Sequence, residues 1–314
     1  REQLKKDRDA VRSAAGSTVV TAYLDKTLTV SNSSLSPNGR YALVITQEKG
    51  ANEGEDGKMP LYVTESGYVE IEEVRTRVGR NDPTPQSLWL VEVATQKVTK
   101  LDFSQLAGIS SDPLAELRKA QKLDALKGNR PVRMDFPIVW SADGSQVAAM
   151  VRTVDNKDRW LVGVNFADAT LTTRHRLTDP GWINWNFNEF GFLPNNQFWY
   201  LSEQTGYSHL YVGEGKSVKA LSSGKYETSL VQWNNNGTQA YFLCNRKWPG
   251  DYEVCRVNVD GSDLKEVTAL NGVEDFALAP NNQQIAVRYS GSYLPPQLAL
   301  VNAQSGETKI LTDI

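Results

Sequence analysis

His175 and His209 are the only two histidines of the chain, so acyl-transfer or imidazole–metal chemistry would have to start from them. The serine beside one of them, in Gly206-Tyr207-Ser208-His209, lacks the second glycine of a Gly-x-Ser-x-Gly nucleophile elbow and reads as a turn entering a strand. Both histidines fall at strand or turn positions, so they read as structural and not as members of a Ser-His-Asp triad. No glycine loop of the P-loop or dinucleotide type occurs, and no His/Glu pair has zinc-ligand spacing on a helix. The chain is therefore expected to carry no catalytic residue, no metal and no cofactor.

Three other groupings could do something. Cys244 and Cys255, the only cysteines, flank Trp248-Pro249-Gly250-Asp251. A hairpin centred on Pro249-Gly250 makes them directly opposed partners, near enough for a disulfide; two buried thiols are the alternative. A bridge implies an oxidising compartment. Residues 179–192 (DPGWINWNFNEFGF) alternate aromatic rings with amides around one carboxylate. Rings offer area at low entropy and polar tips offer direction, which suits a recognition surface, and Trp185, Phe187 and Glu189 are its candidate substrate-binding residues. Packing of these rings between neighbouring elements is the other reading. Glu70 and Glu72 share one strand face, expected to be solvated and neutralised by Arg75, Arg77 and Arg80. Glu53, Glu55 and Asp56 lack the ligand spacing of an EF-hand.

The elements that position these groups follow from a repeat. Ser36-Pro37-Asn38-Gly39, Ser141-Ala142-Asp143-Gly144, Leu193-Pro194-Asn195-Asn196, Asn234-Asn235-Asn236-Gly237 and Ala279-Pro280-Asn281-Asn282 are tight-turn sequences that favour positive φ. Their aligned positions 38, 143, 195, 236 and 281 are separated by 105, 52, 41 and 45 residues, the first gap holding insertions. Each turn leads into an apolar strand, then a second strand and a closing segment. Strand and hairpin repeated every 40 to 50 residues is a β-propeller pattern: a four-stranded blade cannot bury both faces alone, whereas stacked blades bury them against each other. The fold class is thus all-β, a propeller of four-stranded antiparallel blades. About five are visible, near residues 18–101, 131–179, 182–222, 227–269 and 271–313. Val19 to Ala22 and Leu28 to Val30 are candidate inner strands of the first. Insertions fall at 47–60, a Gly-rich acidic loop, and 104–130. The second reads as a helix, capped by Asp112 with Pro113 in its first turn, an apolar stripe of Leu114, Leu117, Leu123 and Leu126, and Gly128 as its stop.

Composition narrows the function classes. In 314 residues, 34 Lys and Arg stand against 37 Asp and Glu, so the net charge of −3 offers no cationic excess for nucleic acid or an anionic membrane. Hydrophobic residues at 40% with 23% charged indicate a globular chain, and no apolar run approaches a membrane span. Residues 1–17 read as a charged helical or linker segment without the apolar region of a signal peptide, so the chain is either cytoplasmic or already relieved of an export signal. Its two ends look like cuts in something longer.

These residues resemble a known family. Ser36-Pro37-Asn38-Gly39, Val74-Arg75-Thr76-Arg77-Val78-Gly79, Asp158-Arg159-Trp160 and above all Leu201-Ser202-Glu203-Gln204-Thr205-Gly206-Tyr207-Ser208-His209-Leu210-Tyr211 look like the N-terminal propeller of dipeptidyl peptidase IV-like enzymes, serine peptidases of the prolyl oligopeptidase family. The resemblance runs from about Ser36 to Asp313. It implies a propeller of seven or eight blades that gates peptide substrates for a C-terminal α/β-hydrolase domain outside this chain. It further implies a periplasmic or secreted location, pocket residues in the loop around Trp185 to Glu189, and leaves a homodimer open. The family's Glu-Glu pair for the substrate's amino terminus has no counterpart in residues 18–35, where Asp25 is the only acid. Strict dipeptide release is therefore in doubt. A freestanding TolB-like propeller that binds a protein partner is the alternative function.

Overall fold

The computed structural model describes residues 22–50, 56–74, 83–134, 137–184, 186–213 and 215–312, with residues 3, 6, 7 and 10 of the N-terminal segment. Glu53, Glu55, Arg75, Arg77, Arg80, Trp185 and most of residues 1–21 lie outside the described set.

Five antiparallel sheets follow one another along the chain. Blade I contains β1 (Leu28–Leu35) and β2 (Tyr41–Glu48), then a two-stranded hairpin, β3 (Gly57–Leu61) with β4 (Glu70–Val74), and returns through β5 (Gln86–Glu92) and β6 (Lys97–Lys100). Blade II comprises β7 (Val132–Arg133), β8 (Val139–Trp140), β9 (Val147–Thr153), β10 (Asp158–Asn165) and β11 (Thr170–Thr178); β7 and β8 share the inner position beside β9. Blade III is β12 (Phe190–Phe192), β13 (Phe198–Ser202), β14 (His209–Val212) and β15 (Lys219–Ala220). Blade IV is β16 (Thr228–Trp233), β17 (Gln239–Trp248), β18 (Asp251–Asn258) and β19 (Lys265–Glu266). Blade V is β20 (Val273–Leu278), β21 (Gln284–Gly291), β22 (Leu294–Asn302) and β23 (Thr308–Ile310). The chain is an all-β propeller fold of up-and-down blades.

The five repeated turns are superposable in their bonding. Gly39, Gly144, Asn196, Gly237 and Asn282 all have φ between 60° and 69°, and each donates its N–H to the carbonyl three residues back. Neighbouring turns also bond to each other: Asn38 Nδ2 donates to Asp143 O at 3.0 Å, Asn196 Nδ2 to Asp143 Oδ2 at 2.8 Å, and Asn235 Nδ2 to Pro280 O at 2.7 Å. A Cβ on Gly144 would collide with the Asn38 amide, so the glycine serves both the turn and the blade contact.

Apolar seams join consecutive blades. Leu43, Ile45, Leu88 and Leu90 of blade I meet Val147, Ala149, Val151 and Trp160 of blade II. The opposite face of blade II, with Ala148, Met150 and Leu161, packs on Phe190, Phe198, Tyr200 and Tyr211. Blades III and IV share Leu201, Leu210, Phe242 and the two cysteines; blades IV and V share Tyr241, Val254, Ile285, Val287 and Val301. No such seam links blade V to blade I among the described residues, and Leu298 and Ile310 on blade V are about half exposed (48% and 49%).

Several expectations need correction. Of residues 104–130 only Ala115–Ala120 is α-helical (α1), with a 3-10 turn at Phe103–Gln105. Leu117 and Leu123 are exposed, because the apolar stripe has nothing to pack against; Leu106 and Ile109 enter the core instead. A six-residue helix without such packing cannot be extended by propensity alone. The insertion placed at 47–60 is not a loop throughout: Gly57–Leu61 pairs with Glu70–Val74, so the excursion continues to β5. Cys244 and Cys255 do form a disulfide, Cα–Cα 5.9 Å, but they are not directly opposed. Cys244 faces Glu253 and Cys255 faces Phe242, while Trp248 faces Asp251 as the expected turn requires. The register shifts between them, where Asn245 Nδ2 donates to Pro249 O and bulges the strand, so the bridge is diagonal.

Buried polar groups pin the blades as well. Asp158, 3% exposed, accepts from Arg176 Nε at 2.8 Å and pairs with Arg130, whose Nη2 also donates to Gly108 O. This ties the insertion to blade II. His175 Nε2 meets Ser202 Oγ at 2.9 Å and its ring stacks on Tyr200, across the seam between blades II and III. His209 lies between Ser222 Oγ and Gly224 O. Ser202 and Ser222 are both buried, so each histidine is bonded to a buried hydroxyl. Asp158→Asn is expected to destabilise the chain by about 1.5–3 kcal/mol in urea unfolding, because Arg130 and Arg176 lose a buried charged acceptor and Arg130 keeps only Asp155, at 3.2 Å. A loss below about 1 kcal/mol would remove the network's importance. Burial, with Arg159 adding, pushes the His175 imidazole down to about 4. The unfolded chain protonates it below about pH 6.5, so this stabilisation is complete above that pH and fades as pH falls towards 4. Unfolding free energy should therefore rise from pH 4 to 6.5 by up to roughly 3 kcal/mol, and His175→Gln should flatten that contribution.

Candidate functional site

The loop between blades II and III is folded by its own amides. Asp179 Oδ1 accepts from the N–H groups of Gly181 and Trp182 at 2.7 and 2.9 Å. Asn156, on the turn between β9 and β10, exchanges bonds with Ile183: its Nδ2 donates to Ile183 O at 2.8 Å and its carbonyl accepts Ile183 N–H at 3.1 Å. Asn184 Oδ1 accepts from Asn186 N, which turns the chain back towards blade III. Phe187 then adopts φ +58°, a left-handed conformation that an L-residue takes only when its surroundings hold it there.

The expected recognition surface divides. Phe190 is buried in the seam between blades II and III, which is the packing reading. Trp182 is 65% exposed. Phe187 and Glu189 together form a wall between two clefts. The larger, about 640 Å³, is completed by Ser229, Leu230, Tyr252, Glu274 and Ser290 from blades IV and V. The smaller, about 460 Å³, lies between blades II and III and is mainly apolar, with Pro137, Val139, Phe190 and Trp199 beside Asn188. Gly250, from the turn between β17 and β18, also lines the larger cleft, so the clefts open at the end that carries these hairpin tips.

Glu189 joins two blades at this wall. Its Oε1 accepts Leu230 N–H at 2.9 Å, where β16 bulges and Leu230 has φ +51°. Its Oε2 is buried without a hydrogen-bond partner. Burial raises its pKa, partly offset by the Leu230 N–H bond. The carboxylate is thus a fixed, poorly solvated acceptor beside a ring, suited to a cationic or hydrogen-bond-donating group.

Two residues that spacing arguments passed over stand behind this wall. Arg159, 2% exposed, donates from Nη1 to Asn188 Oδ1. Glu203 accepts from Asn184 Nδ2 at 3.4 Å, and burial raises its carboxyl. They belong to the strings Asp158-Arg159-Trp160 and Ser202-Glu203-Gln204; a charge within an apolar strand was the available signal for Arg159, whereas Glu203 lies in the turn after β13 and carried no such signal. Among the described residues no group of His, Cys, Asp and Glu is arranged to hold a metal ion, and no helix is long and apolar enough to cross a membrane.

Known proteins share this architecture. The chain aligns with the crystal structure of Porphyromonas gingivalis dipeptidyl peptidase 4 at TM-score 0.63 and 15% identity, over 90% of its own length and 37% of that chain. A protein from Bacteroides ovatus assigned as a dipeptidyl aminopeptidase IV aligns at TM-score 0.60 and 17% identity, over 93% of this chain and 43% of that one. The chain thus spans less than half the length of either structure. Residues 122–296, more than half of the sequence and all of the cleft-bearing loop, match the family described as the dipeptidyl peptidase IV N-terminal region, and the chain belongs to that family.

Proposed function

We propose that this chain is the non-catalytic propeller of an exported serine exopeptidase of dipeptidyl peptidase IV type, admitting peptides to an α/β-hydrolase domain carried elsewhere on the parent polypeptide. The observation that carries the reading is the wall of Phe187 and Glu189, which places a ring and a half-buried carboxylate between two clefts at one end of the blades. A peptide offers apolar side chains and N–H donors, the chemistry this wall accepts. Trp185 belongs to the same loop and is proposed to share the role.

Other features support it. Trp248 and Tyr293, at the hairpin tips of blades IV and V, are exposed at 69% and fully, respectively, and the larger cleft opens beside the first of these hairpins. Exposed aromatic tips around a cleft suit contact with a further domain. The Cys244–Cys255 bridge favours an oxidising compartment, consistent with a periplasmic or secreted protein. Gating would then act by size and by contacts to the peptide, while bond cleavage stays with the hydrolase.

In the parent enzyme, Phe187→Ala and Glu189→Gln should raise KM for a short peptide substrate about threefold to tenfold with kcat nearly unchanged, since they remove binding shared by ground and transition states. Circular dichroism of each variant should match the wild type. An unaltered KM, or loss of folding, would return both residues to a packing role. Mass spectrometry of unreduced, alkylated protein tests the location: a bridged pair takes up no label, and two labelled thiols would remove the argument for export.

A further inference from the structure

The clearest unexplained charge among the described residues is Arg159. Its side chain lies in the interior at 2% exposure, and of its guanidinium nitrogens Nε and Nη2 are buried without any hydrogen-bond partner. Nη1 is satisfied only by the neutral amide oxygen of Asn188. An arginine removed from water normally sits against a carboxylate or phosphate, because an uncompensated buried charge is strongly unfavourable.

Its surroundings make this sharper. Arg159 on β10 is directly opposite Arg152 on β9, which is directly opposite Arg133 on β7. Opposed residues of antiparallel strands point to one face, here the face that also bears Met150 and Leu161 towards blade III. Three arginines therefore occupy opposed positions across β10, β9 and β7. Arg133 Nη1 donates to Thr84 O at 2.9 Å, and Arg152 has partners of its own. The acid that acts on Arg159 is Glu203, through the field and without an ion pair to it. Burial pushes the Arg159 guanidinium down to about 10, so the cation is held at a cost that an anion would remove.

Asn188 connects this cation to the outside, since it forms part of the wall of the smaller cleft. We propose that Arg159 is the receptor for a carboxylate of the bound peptide, entering from the smaller cleft between blades II and III. The carboxylate replaces the Asn188 amide oxygen at Nη1 and engages the unpartnered Nη2 with its second oxygen, the two-point fork that arginine offers. The neutral amide is the occupant when no peptide is present. The inference rests on the peptide-gating reading and narrows it to peptides with a carboxylate within reach of the cleft.

Isothermal titration of the parent protein, its hydrolase nucleophile replaced by alanine so that nothing is cleaved, with four peptides tests this. Ala-Pro-Ala against its C-terminal amide reads the main-chain carboxylate, and Ala-Pro-Asp-amide against Ala-Pro-Asn-amide reads an acidic side chain. One acid is expected to bind at least tenfold more tightly than its amide, with the preference shrinking as salt is raised. Arg159→Gln should reduce that preference below twofold and leave amide binding as it was; Arg159→Lys, which keeps the charge without the fork, should fall between. Equal binding of both acids and their amides overturns the carboxylate site and leaves gating intact, whereas no binding by any peptide overturns both. The wild-type comparison decides the matter even where a variant fails to fold. Glu203→Gln should tighten acid binding by removing the competing acid. Loss of the fold in that variant, with no acid preference in the wild type, would make Glu203 the guanidinium's own counter-ion and end the proposal.

Discussion

Face-to-face burial of one blade on the next is the constraint from which the rest of the molecule follows. Each sheet is too thin to have a core of its own, so residues such as Met150 and Val151, adjacent on β9, must be buried on opposite faces by different neighbours. That requirement explains why β9, β10 and β13 are buried almost throughout, while β21, in the last blade, alternates between exposed and buried from Gln284 to Tyr289. It also explains where polar groups are tolerated. Asp158, His175 and Arg159 sit at seams or strand ends, where Arg176, Ser202 and Asn188 respectively reach them, and the two clefts open where the seams part. The functional loop has no scaffold beyond this stacking: Glu189 reaches Leu230 only because blade IV is pressed against blade III.

Much of the frame was legible in the sequence because its determinants are local. A turn that needs φ near +65° accepts few residues, and the five Asn, Asp and Gly turns announce themselves whatever surrounds them. Strands between them follow from runs such as Val147–Thr153. The helix was misread because a leucine stripe at helical spacing is informative only when a partner surface exists, and Leu117 and Leu123 have none. The cysteine pairing shows the boundary between the two kinds of information. Its turn was readable from Pro249-Gly250, but the bulge that makes the bridge diagonal comes from Asn245 folding back on Pro249, a contact invisible to symmetric counting about a hairpin.

The candidate site was legible only in part. Phe187 and Glu189 could be singled out as ring and acid in an amide-rich loop, yet Phe190, in the same string, is core. Position within the loop separates them: Phe190 begins β12 and inherits the inward face of a strand, whereas Phe187 is turned aside by its positive φ. Arg159 and Glu203 stand in strings that carry the family resemblance, but the interest of Arg159 lies in its missing partners, and the absence of a partner is a property of three-dimensional surroundings. A charge inside DRWLVGVN was nevertheless a visible anomaly, since a strand buried on both faces has no solvent to offer an arginine.

Rigid stacking gives those charges their meaning. In a mobile surface an arginine without a carboxylate would swing into water, and a glutamate without a partner would do the same; neither would discriminate among ligands. Here Arg159 is fixed by the pairing of β7, β9 and β10, and Glu189 is fixed by the Leu230 backbone across a seam. Neither group has to be ordered at the moment a ligand arrives, so the entropy of ordering is already met by folding. Desolvation has been met in the same way, by the seams that exclude water from both. The stacked blades therefore hold two opposite charges in fixed places, Glu189 in the wall between the clefts and Arg159 behind it, joined to that wall through Asn188.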